Sequence, residues 1–335
     1  MTRSRVLPTA LALTLAVTGP AAGCGGTGDE QGITIYSGRI APLVGPLIDQ
    51  IEAREGVDIQ TRFGETPQLA VTLIEEGENS PADVFFAQDA GALDALSSEG
   101  LLAELPPDIL DRVPERFRSA SGDWVGTSAR ARVIAYGEGV RRSQLPASVL
   151  DLTDPEWKGR VGWAPTNGSF EAFVTAMRAI LGEQRTREWL EGMVANDVQT
   201  YDSNIPIRDA IANGEIDLGL INHYYVAEAK AEDPDYPVDV YFPPNDLGSM
   251  INTAGVAVLK STDDRPEAIA FVREMLDRSS QEFFAESSKE YPVVAGVPPA
   301  PGLVPLDRIP DPGVDLAKLS DLEGPLELLR DTGAL

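Results

Sequence analysis

Short β-rich runs alternate with amphipathic helical patterns along most of this chain. The run at residues 33–36 precedes a stretch whose apolar side chains recur at helical spacing from Leu43 to Ile51. Further pairs of a strand pattern and a helix pattern lie at residues 57–76, 83–96, 161–181, 207–221 and 255–276. This order predicts an α/β protein with a largely parallel sheet covered by helices.

The length and charge of the chain limit its architecture and its partners. Its 335 residues, 43% of them apolar, suffice for two domains of about 100–200 residues each. It has 27 Lys and Arg residues against 53 Asp and Glu residues, for a formal net charge of −26. Because such a surface repels phosphate groups, neither nucleic acid nor an anionic membrane surface is expected as a partner. The acidity suits a soluble exported protein, and attraction of a cationic cargo is the alternative.

The N-terminus has the pattern of an export signal. Two early arginines precede an apolar stretch at residues 6–17, which is too short to span a bilayer as a stable helix. Small residues then lead to Cys24, the only cysteine. This pattern resembles a bacterial lipoprotein signal, although Ala21 replaces the usual leucine. We expect residues 1–23 to be removed, Cys24 to be lipidated and residues 24–31 to form a flexible tether; ordinary cleavage that leaves a free thiol is the alternative.

Familiar catalytic motifs are absent from the sequence. His223 is the only histidine, which excludes clusters of histidine ligands and catalysis by paired histidines. No HExxH, P-loop or GxSxG pattern occurs, and no pair of a nucleophile and a base can be identified. We therefore expect a binding protein and not an enzyme.

Tyr224 and Tyr225 form an adjacent pair directly after the predicted strand at residues 216–221. Ligands of open α/β sheets collect at the ends of strands. Phenolate is a hard, anionic donor suited to a hard cation such as Fe³⁺, and its pKa of about 10 means that a bound metal must displace the proton. Both phenols are expected to face one cleft only if the backbone is irregular, because neighbours on a regular helix diverge by about 100°. An aromatic packing pair at a helix start is the alternative.

Five stretches of the sequence follow one another in the order of a known family. They are residues 33–39 (ITIYSGR), 80–86 (SPADVFF), 162–170 (GWAPTNGSF), 213–217 (NGEID) running into the tyrosine pair, and 290–292 (EYP). Together they resemble the periplasmic ferric-iron-binding proteins of bacterial ABC importers, in register over residues 32–297. The resemblance implies a two-lobed periplasmic-binding-protein fold of the class II type, with a hinge between the lobes. It places lobe one at residues 32–131 plus 252–300, and lobe two at residues 132–251 plus 301–335.

The resemblance also implies roles for individual residues. Tyr224 and Tyr225 match the family's pair of ferric-iron ligands. Asn167, Gly168 and Ser169 match a loop that holds a synergistic anion, and this loop opens a helix whose dipole favours an anion. Asn204 and Asn222 match polar residues that line the same anion site, and Arg132 matches an arginine of the cleft. Apart from the resemblance, Arg39 is expected to balance such an anion. For each Asn or Arg taken alone, simple solvation at the surface is the alternative.

Three positions depart from the family pattern. Ile40 stands where some relatives have a histidine ligand, Gln88 where some have a carboxylate, and Phe170 where others have a further tyrosine. The remaining coordination positions must therefore be filled by anions, water, a chelator or another side chain. The possible protein ligands are Gln88, Asp89 and Tyr36. Two phenolates leave one charge of a trication for an anion to neutralise.

The expected function is the capture of ferric iron outside the cell and its delivery to an ABC permease. Fe³⁺ is expected as cargo, with carbonate, phosphate or an organic anion, or as a chelate. The alternative is a binding protein for a small organic or anionic solute, such as a phosphonate, thiamine or a polyamine, in the same cleft. We expect a monomer, held at the extracytoplasmic face of the plasma membrane by a lipid on Cys24.

Overall fold

The structure is a computed structural model that describes residues 32–335. The predicted export signal at residues 1–23, the lipidation site Cys24 and the tether at residues 24–31 lie outside the described residues. Within residues 32–335, no helix combines the length and the apolar character that crossing a membrane requires.

In the described part of the chain, ten strands form one continuous sheet. The strands are β1 (Gly32–Ser37), β2 (Asp58–Phe63), β3 (Val84–Ala87), β4 (Trp124–Gly137), β5 (Val161–Trp163), β6 (Gln199–Thr200), β7 (Leu218–Asn222), β8 (Val238–Tyr241), β9 (Ile251–Val258) and β10 (Tyr291–Pro292). Their order is β2-β1-β3-β9-β4-β7-β5-β6, and β8 and β10 both pair with β4.

Eleven α-helices connect the strands in residues 32–335. The helices are α1 (Ala41–Glu55), α2 (Thr66–Glu76), α3 (Ala90–Ser98), α4 (Pro107–Leu110), α5 (Gly168–Leu181), α6 (Glu183–Ala195), α7 (Asn204–Ala212), α8 (Tyr224–Glu232), α9 (Arg265–Met275), α10 (Arg278–Glu286) and α11 (Gly324–Asp331). Short 3₁₀ helices lie at Gly77–Asn79, Glu115–Phe117, Arg142–Gln144, Val149–Thr153, Pro155–Trp157, Leu247–Ser249, Leu306–Arg308 and Leu316–Leu319.

Helix α1 illustrates how the apolar pattern of the sequence becomes structure. Its apolar residues recur three and four positions apart, so they lie on one face of the helix. The buried residues of this face are Val44, Leu47, Ile48 and Ile51. The helix ends at Gly56, whose φ of 69° is the left-handed conformation that favours glycine.

Two blocks of parallel strands are joined by antiparallel ones. β1 is parallel to β2 and β3, and β5 is parallel to β6 and β7. Between these blocks, β9 is antiparallel to β3 and β4, and β4 is antiparallel to β7. The expectation of a largely parallel sheet is therefore wrong for its middle. Strands that are buried on both faces have continuous apolar sequences, which do not reveal the direction of their neighbours.

Strand β4 passes through both halves of the molecule. From Trp124 to Ala131 it pairs with β9, and from Arg132 to Gly137 it pairs with β7 and β8. We call lobe one the part that carries β1, β2, β3, β9 and β10, and lobe two the part that carries β5 to β8. The change of partners falls between Ala131 and Arg132, while the full residue limits of the lobes stay a prediction.

Aromatic rings pack the core of lobe two beneath α5. Trp163 lies edge-on to Phe170 at 5.4 Å and to Trp189 at 6.2 Å between ring centroids. Phe173 lies 5.7 Å from Phe170 and 5.9 Å from Trp189. Such ring pairs add about 0.5–1.5 kcal/mol each beyond the area that they bury. They hold α5 in place, and its first residue, Gly168, lies close to Pro67, which follows β2.

The C-terminal tail contacts both lobes. Leu319 approaches α3 so closely that a Cβ added to Gly91 would lie 2.1 Å from the Leu319 carbonyl oxygen. Further along, Asp321 forms an ion pair with Arg178 of α5 at 2.6 Å. The tail, predicted as part of lobe two, therefore has contacts in each lobe.

Candidate functional site

Polar side chains lie where strands of both lobes end. In lobe two, β5 and β7 are parallel neighbours, so the loop after β5 and Asn222 at the end of β7 lie at the same edge of the sheet. In lobe one, β1 leads to Arg39 and β3 leads to Gln88 and Asp89. This is the edge at which open α/β sheets bind ligands.

Tyr224 and Tyr225 are the first two residues of α8. Their ring centroids are 4.3 Å apart, and the hydroxyl of Tyr224 donates to the hydroxyl of Tyr225 at 3.2 Å. His223, directly before them, already has helical backbone angles of φ −56° and ψ −37°. The expectation that both phenols converge only on an irregular backbone is therefore wrong. The convergence arises in the long side chains, within the first turn of the helix.

The Tyr225 phenol holds its proton tightly. Burial raises the pKa of Tyr225 well above its ordinary value of about 10, and the neighbouring Tyr224 raises it further. The positive charge of Arg39 acts in the opposite direction but does not outweigh these effects. The phenol is therefore protonated at neutral pH until a cation displaces its proton.

The loop before α5 forms a polar cradle beside the tyrosine pair. Asn167 caps α5, because its Oδ1 accepts the N–H of Ser169 at 3.2 Å and the Ser169 hydroxyl at 2.6 Å. Asn222 links the cradle to the pair, since its Nδ2 donates to Ser169 Oγ at 3.2 Å and to Tyr224 Oη at 3.4 Å. Gly168 is the first residue of the helix, whose N-terminus favours an anion. The structure thus brings the predicted anion loop, Asn222 and the tyrosines together.

Three arginine side chains are buried around the tyrosine pair. Arg39, Arg130 and Arg132 are each at most 4% exposed, and each interacts electrostatically with Tyr224. Burial lowers the pKa of Arg132 to about 9, and repulsion from Arg130 contributes to this shift. Burial also lowers the pKa of Arg130, with Arg39 adding to the effect. The pKa values of Arg130 and Arg132 stay lowered because the anionic groups near these two cations do not offset their burial, so this part of the site favours an added anion.

Arg132 is fixed against the cradle. Its Nη1 donates to the Ser169 carbonyl at 3.2 Å, and its Nη2 donates to the Leu220 carbonyl at 3.0 Å. Its guanidinium also lies over the rings of Phe170 and Phe173, 5.4 and 5.1 Å from their centroids. Phe170, which stands where some relatives have a tyrosine, therefore supports a cation and belongs to the core.

Two buried donors at this edge have no hydrogen-bond partner within residues 32–335. They are Nη2 of Arg130 and Nδ2 of Asn204, the first residue of α7. Each unpaired buried donor costs about 1–3 kcal/mol, so each favours a bound anion or water. No hydrogen bond joins Asn204 to the tyrosine pair in the described structure.

The other predicted candidates from lobe one have different surroundings. Asp89 caps α3 by accepting the N–H of Ala92 at 3.1 Å. Burial raises the pKa of Asp89, and the charge of Arg130 lowers it. Gln88 is half-buried, and its backbone carbonyl accepts a hydrogen bond from Arg130. Both residues thus lie next to Arg130, and their side chains make no hydrogen bond to the tyrosines.

Tyr36, the third possible ligand, has its own polar partners. Its hydroxyl donates to Glu76 at 3.2 Å and accepts from Arg62 at 3.0 Å. Arg62 also lies over the Tyr36 ring, 4.8 Å from its centroid. The structure does not bring Tyr36 into contact with the tyrosine pair.

Arg39 is paired with a carboxylate that sequence reasoning missed. Its Nη1 and Nη2 donate to the two carboxylate oxygens of Glu290 at 3.0 and 2.8 Å. Burial acts to lower the pKa of Arg39, but the ion pair with Glu290 outweighs burial and raises it. Arg39 was predicted to balance a bound anion, but in the structure its guanidinium is paired with the Glu290 carboxylate of the protein itself.

His223 joins the tyrosine helix to the rest of the site. Its Nδ1 accepts the N–H of Ala131 at 3.2 Å, so Nε2 carries the proton and donates to the Lys289 carbonyl at 3.0 Å. Its ring stacks on Tyr291 at 4.5 Å. Burial lowers the pKa of His223 to about 4, which keeps the ring neutral. It acts as a structural connector.

Arg130 and Glu290 are the charged residues that the sequence did not single out. Arg130 stands two positions before Arg132, and side chains two apart on a strand share a face, so this signal was present. Glu290 pairs with a residue 251 positions away, and no local pattern reveals such a contact.

The arrangement can hold a hard cation together with an anion. At metal–oxygen distances of about 2.0–2.2 Å, ligands at right angles have oxygens about 3 Å apart. The phenol oxygens, 3.2 Å apart, fit adjacent positions on one ion. In the part of the chain that the structure describes, no three His, Cys, Asp or Glu side chains group closely enough to hold a metal. The two phenols are the adjacent oxygen donors that the described site offers to a cation.

Known proteins match most of the chain in sequence and in fold. Residues 79–315 match the family described as "Bacterial extracellular solute-binding protein". The chain is 33% identical over 311 residues to the Fe(3+)-binding periplasmic protein of Serratia marcescens, covering 91% of each chain. Iron-bound HitA from Pseudomonas aeruginosa superposes with a TM-score of 0.85 at 35% identity, over 90% of this chain and 99% of that one. Trichodesmium IdiA (FutA), solved with iron and citrate ligands, gives a TM-score of 0.76 at 30% identity, over 90% and 99%. The predicted two-lobed fold and the predicted resemblance are confirmed.

Proposed function

This chain belongs to the family of bacterial extracellular solute-binding proteins, and we propose that it captures ferric iron together with an anion. The observation that carries the proposal is the pair of phenol oxygens 3.2 Å apart, beside three buried arginines. The names of the Serratia and Pseudomonas relatives, which refer to ferric or bound iron, agree with it. A small organic solute alone would leave two adjacent phenols without a cation to bind.

The proposed capture couples deprotonation of the phenols to binding of the cargo. Fe³⁺ displaces the protons of Tyr224 and Tyr225, and their oxygens become two anionic ligands. Asn222, which donates to Tyr224 Oη, stabilises the phenolate as it forms. The two phenolates neutralise two of the three positive charges on Fe³⁺, so one positive charge remains for an anion to neutralise.

The accompanying anion is proposed to occupy the cradle at the start of α5. Asn167 fixes the first turn of the helix by accepting the N–H of Ser169, and Arg132 lies against Ser169. Nη2 of Arg130, which has no hydrogen-bond partner within residues 32–335, supplies a further donor. Carbonate, phosphate and an organic anion such as citrate all suit this donor set, because each presents oxygens to cations and N–H groups.

Closure of the lobes is proposed to shield the cargo from water. A Cβ on Gly168 of lobe two would lie 3.9 Å from Pro67 of lobe one, so the two lobes meet at the cradle. We place the hinge where β4 changes partners, between Ala131 and Arg132. Opening there would release iron to an ABC permease. The protein is proposed to act without catalysis.

Attachment to the membrane is proposed to occur through a lipid on Cys24. Replacing Cys24 with Ser should release the protein from cell membranes into the soluble fraction, whereas the wild type should need detergent. A wild type that fractionates without detergent would refute the anchor. A monomer mass by light scattering is expected for the chain that lacks residues 1–23.

The iron proposal is tested by visible absorption. Ferric nitrilotriacetate is added to the protein with carbonate present, and phenolate-to-iron charge transfer is expected to give a visible band. The band should vanish in the Tyr224→Phe/Tyr225→Phe double variant and persist in Tyr36→Phe, whose phenol contacts Arg62 and Glu76. Absence of any band with carbonate, phosphate or citrate would refute coordination by the pair.

A further inference from the structure

The Glu290-Tyr291-Pro292 stretch, part of the family resemblance, has no role in the proposed capture. In the structure it lies between the two sides of the site. Tyr291 and Pro292 form β10, which pairs with Ser128 and Ala129 of β4. Glu290 stands at its start, completely buried.

Glu290 is held in one orientation by several donors. Both of its oxygens accept from the Arg39 guanidinium, at 3.0 and 2.8 Å. The hydroxyls of Ser128 and Ser288 each donate to Oε2 at 3.2 Å. Because two parallel hydrogen bonds fix a guanidinium in a plane, Arg39 has one defined position.

The same segment also contacts the helix that carries the tyrosines. The Lys289 carbonyl, one residue before Glu290, accepts from His223, one residue before Tyr224. Tyr291, one residue after Glu290, stacks on His223. The carboxylate that holds Arg39 and the connector that holds the tyrosine pair are therefore adjacent along the chain.

We infer that Glu290 is a positioning residue of the cargo site. It fixes Arg39 beside the tyrosine pair and, by offsetting the charge of Arg39, determines whether the site prefers a more negative or a less negative accompanying anion. This inference rests on the proposed function. Arg39 interacts electrostatically with both tyrosines, so its charge acts on whatever they bind. Glu290 cancels that charge at short range, and its removal would leave one more positive charge beside the cargo.

Anion preference is the quantity that separates this role from simple support of the fold. Glu290→Gln makes the site more positive by one unit, and Arg39→Gln makes it more negative by one unit. Citrate can carry three negative charges and carbonate two. Each variant changes the protein by one charge, and the two anions differ by one charge. At a separation of about 8 Å and an effective dielectric constant of about 20–40, this interaction changes the relative affinity for the two anions by on the order of tenfold. Loss of support alone would weaken binding with both anions equally.

The experiment measures ferric-iron affinity from the phenolate band, with citrate or carbonate as the only added anion. The readout is the ratio of the two affinities, compared with wild type. Glu290→Gln should raise the citrate-to-carbonate ratio about tenfold, and Arg39→Gln should lower it by a similar factor. The double variant restores the net charge and should return to within about threefold of wild type. Ratios that stay unchanged or shift in the same direction in both single variants overturn the inference.

Matched controls separate the possible failures. Glu282→Gln, on the exposed part of α10, makes the same chemical change away from the site and should leave the ratio unchanged. Ser288→Ala loosens Glu290 without altering its charge, so iron affinity should fall with both anions while the ratio holds; unaltered affinity overturns the positioning role even if a Gln variant fails to fold. A wild type without a band in either anion refutes the proposed function itself, and this inference with it.

Discussion

Ferric-iron binding should release one proton from each phenol, and Tyr225→Phe should remove one of the two. Tyr225 is protonated at neutral pH because burial raises its pKa well above about 10, and its oxygen accepts a hydrogen bond from the Tyr224 hydroxyl at 3.2 Å. Each proton released makes the apparent association constant fall about tenfold per pH unit, equivalent to about 1.4 kcal/mol. Wild type, which releases two phenol protons, should therefore lose about 100-fold in iron affinity per pH unit of acidification. Tyr225→Phe, which releases one, should lose about tenfold, and titration of the anion adds equally to both.

The protons are counted by calorimetry in buffers of different protonation enthalpy, with ferric nitrilotriacetate as the titrant. Protons contributed by the chelate and the anion cancel in the difference between proteins. Wild type should release about one proton more than Tyr225→Phe, and Tyr36→Phe should match wild type because its phenol lies with Glu76 and Arg62. Equal release by wild type and Tyr225→Phe would refute deprotonation of this phenol by the cargo.

Three further predictions concern stability and affinity. In Gly38→Ala the new Cβ would lie 1.9 Å from Thr66 Oγ1, so urea unfolding should show a loss of about 1–3 kcal/mol, whereas Gly45→Ala, with open space around its Cβ, should be neutral or stabilising. The pKa of His223 is lowered to about 4 from about 6.5, so the unfolded chain binds the extra proton; the contribution of His223 to stability is full above pH 6.5 and should fall by about 3 kcal/mol as pH drops to 4, measured as the difference in unfolding free energy against pH between wild type and His223→Gln. Asn222→Ala removes the hydrogen bond to Tyr224 and should weaken iron binding about 5- to 15-fold in a chelator competition, with the visible band retained.

The features set by local pattern could be predicted from the sequence. The helical spacing of apolar residues gives α1, and the polar residues after apolar strands give the tyrosine pair and the Asn167–Ser169 loop. Tyr36 shows the limit of this reasoning. Successive side chains of β1 point to opposite faces, and the sequence does not reveal which face meets the cleft. Its phenol lies with Arg62 and Glu76.

The features set by distant contacts could not be predicted. The Arg39–Glu290 pair joins residues 251 positions apart. Helix α10 was not recognised because its buried face includes Gln281, a polar residue whose amide donates to the Thr127 and Met275 carbonyls at 2.8 and 3.0 Å. Polar residues that are satisfied by partners elsewhere in the chain weaken the apolar period from which helices are predicted.

Anomalous diffraction at the iron edge, from crystals of the iron-loaded protein, would locate the cargo directly. We expect one iron peak, bonded to both phenol oxygens of Tyr224 and Tyr225 at about 2.0–2.2 Å, with an anion between the iron and the cradle of Asn167 and Ser169. An iron peak bonded to neither tyrosine, or to one of them only, would refute capture of iron by the tyrosine pair.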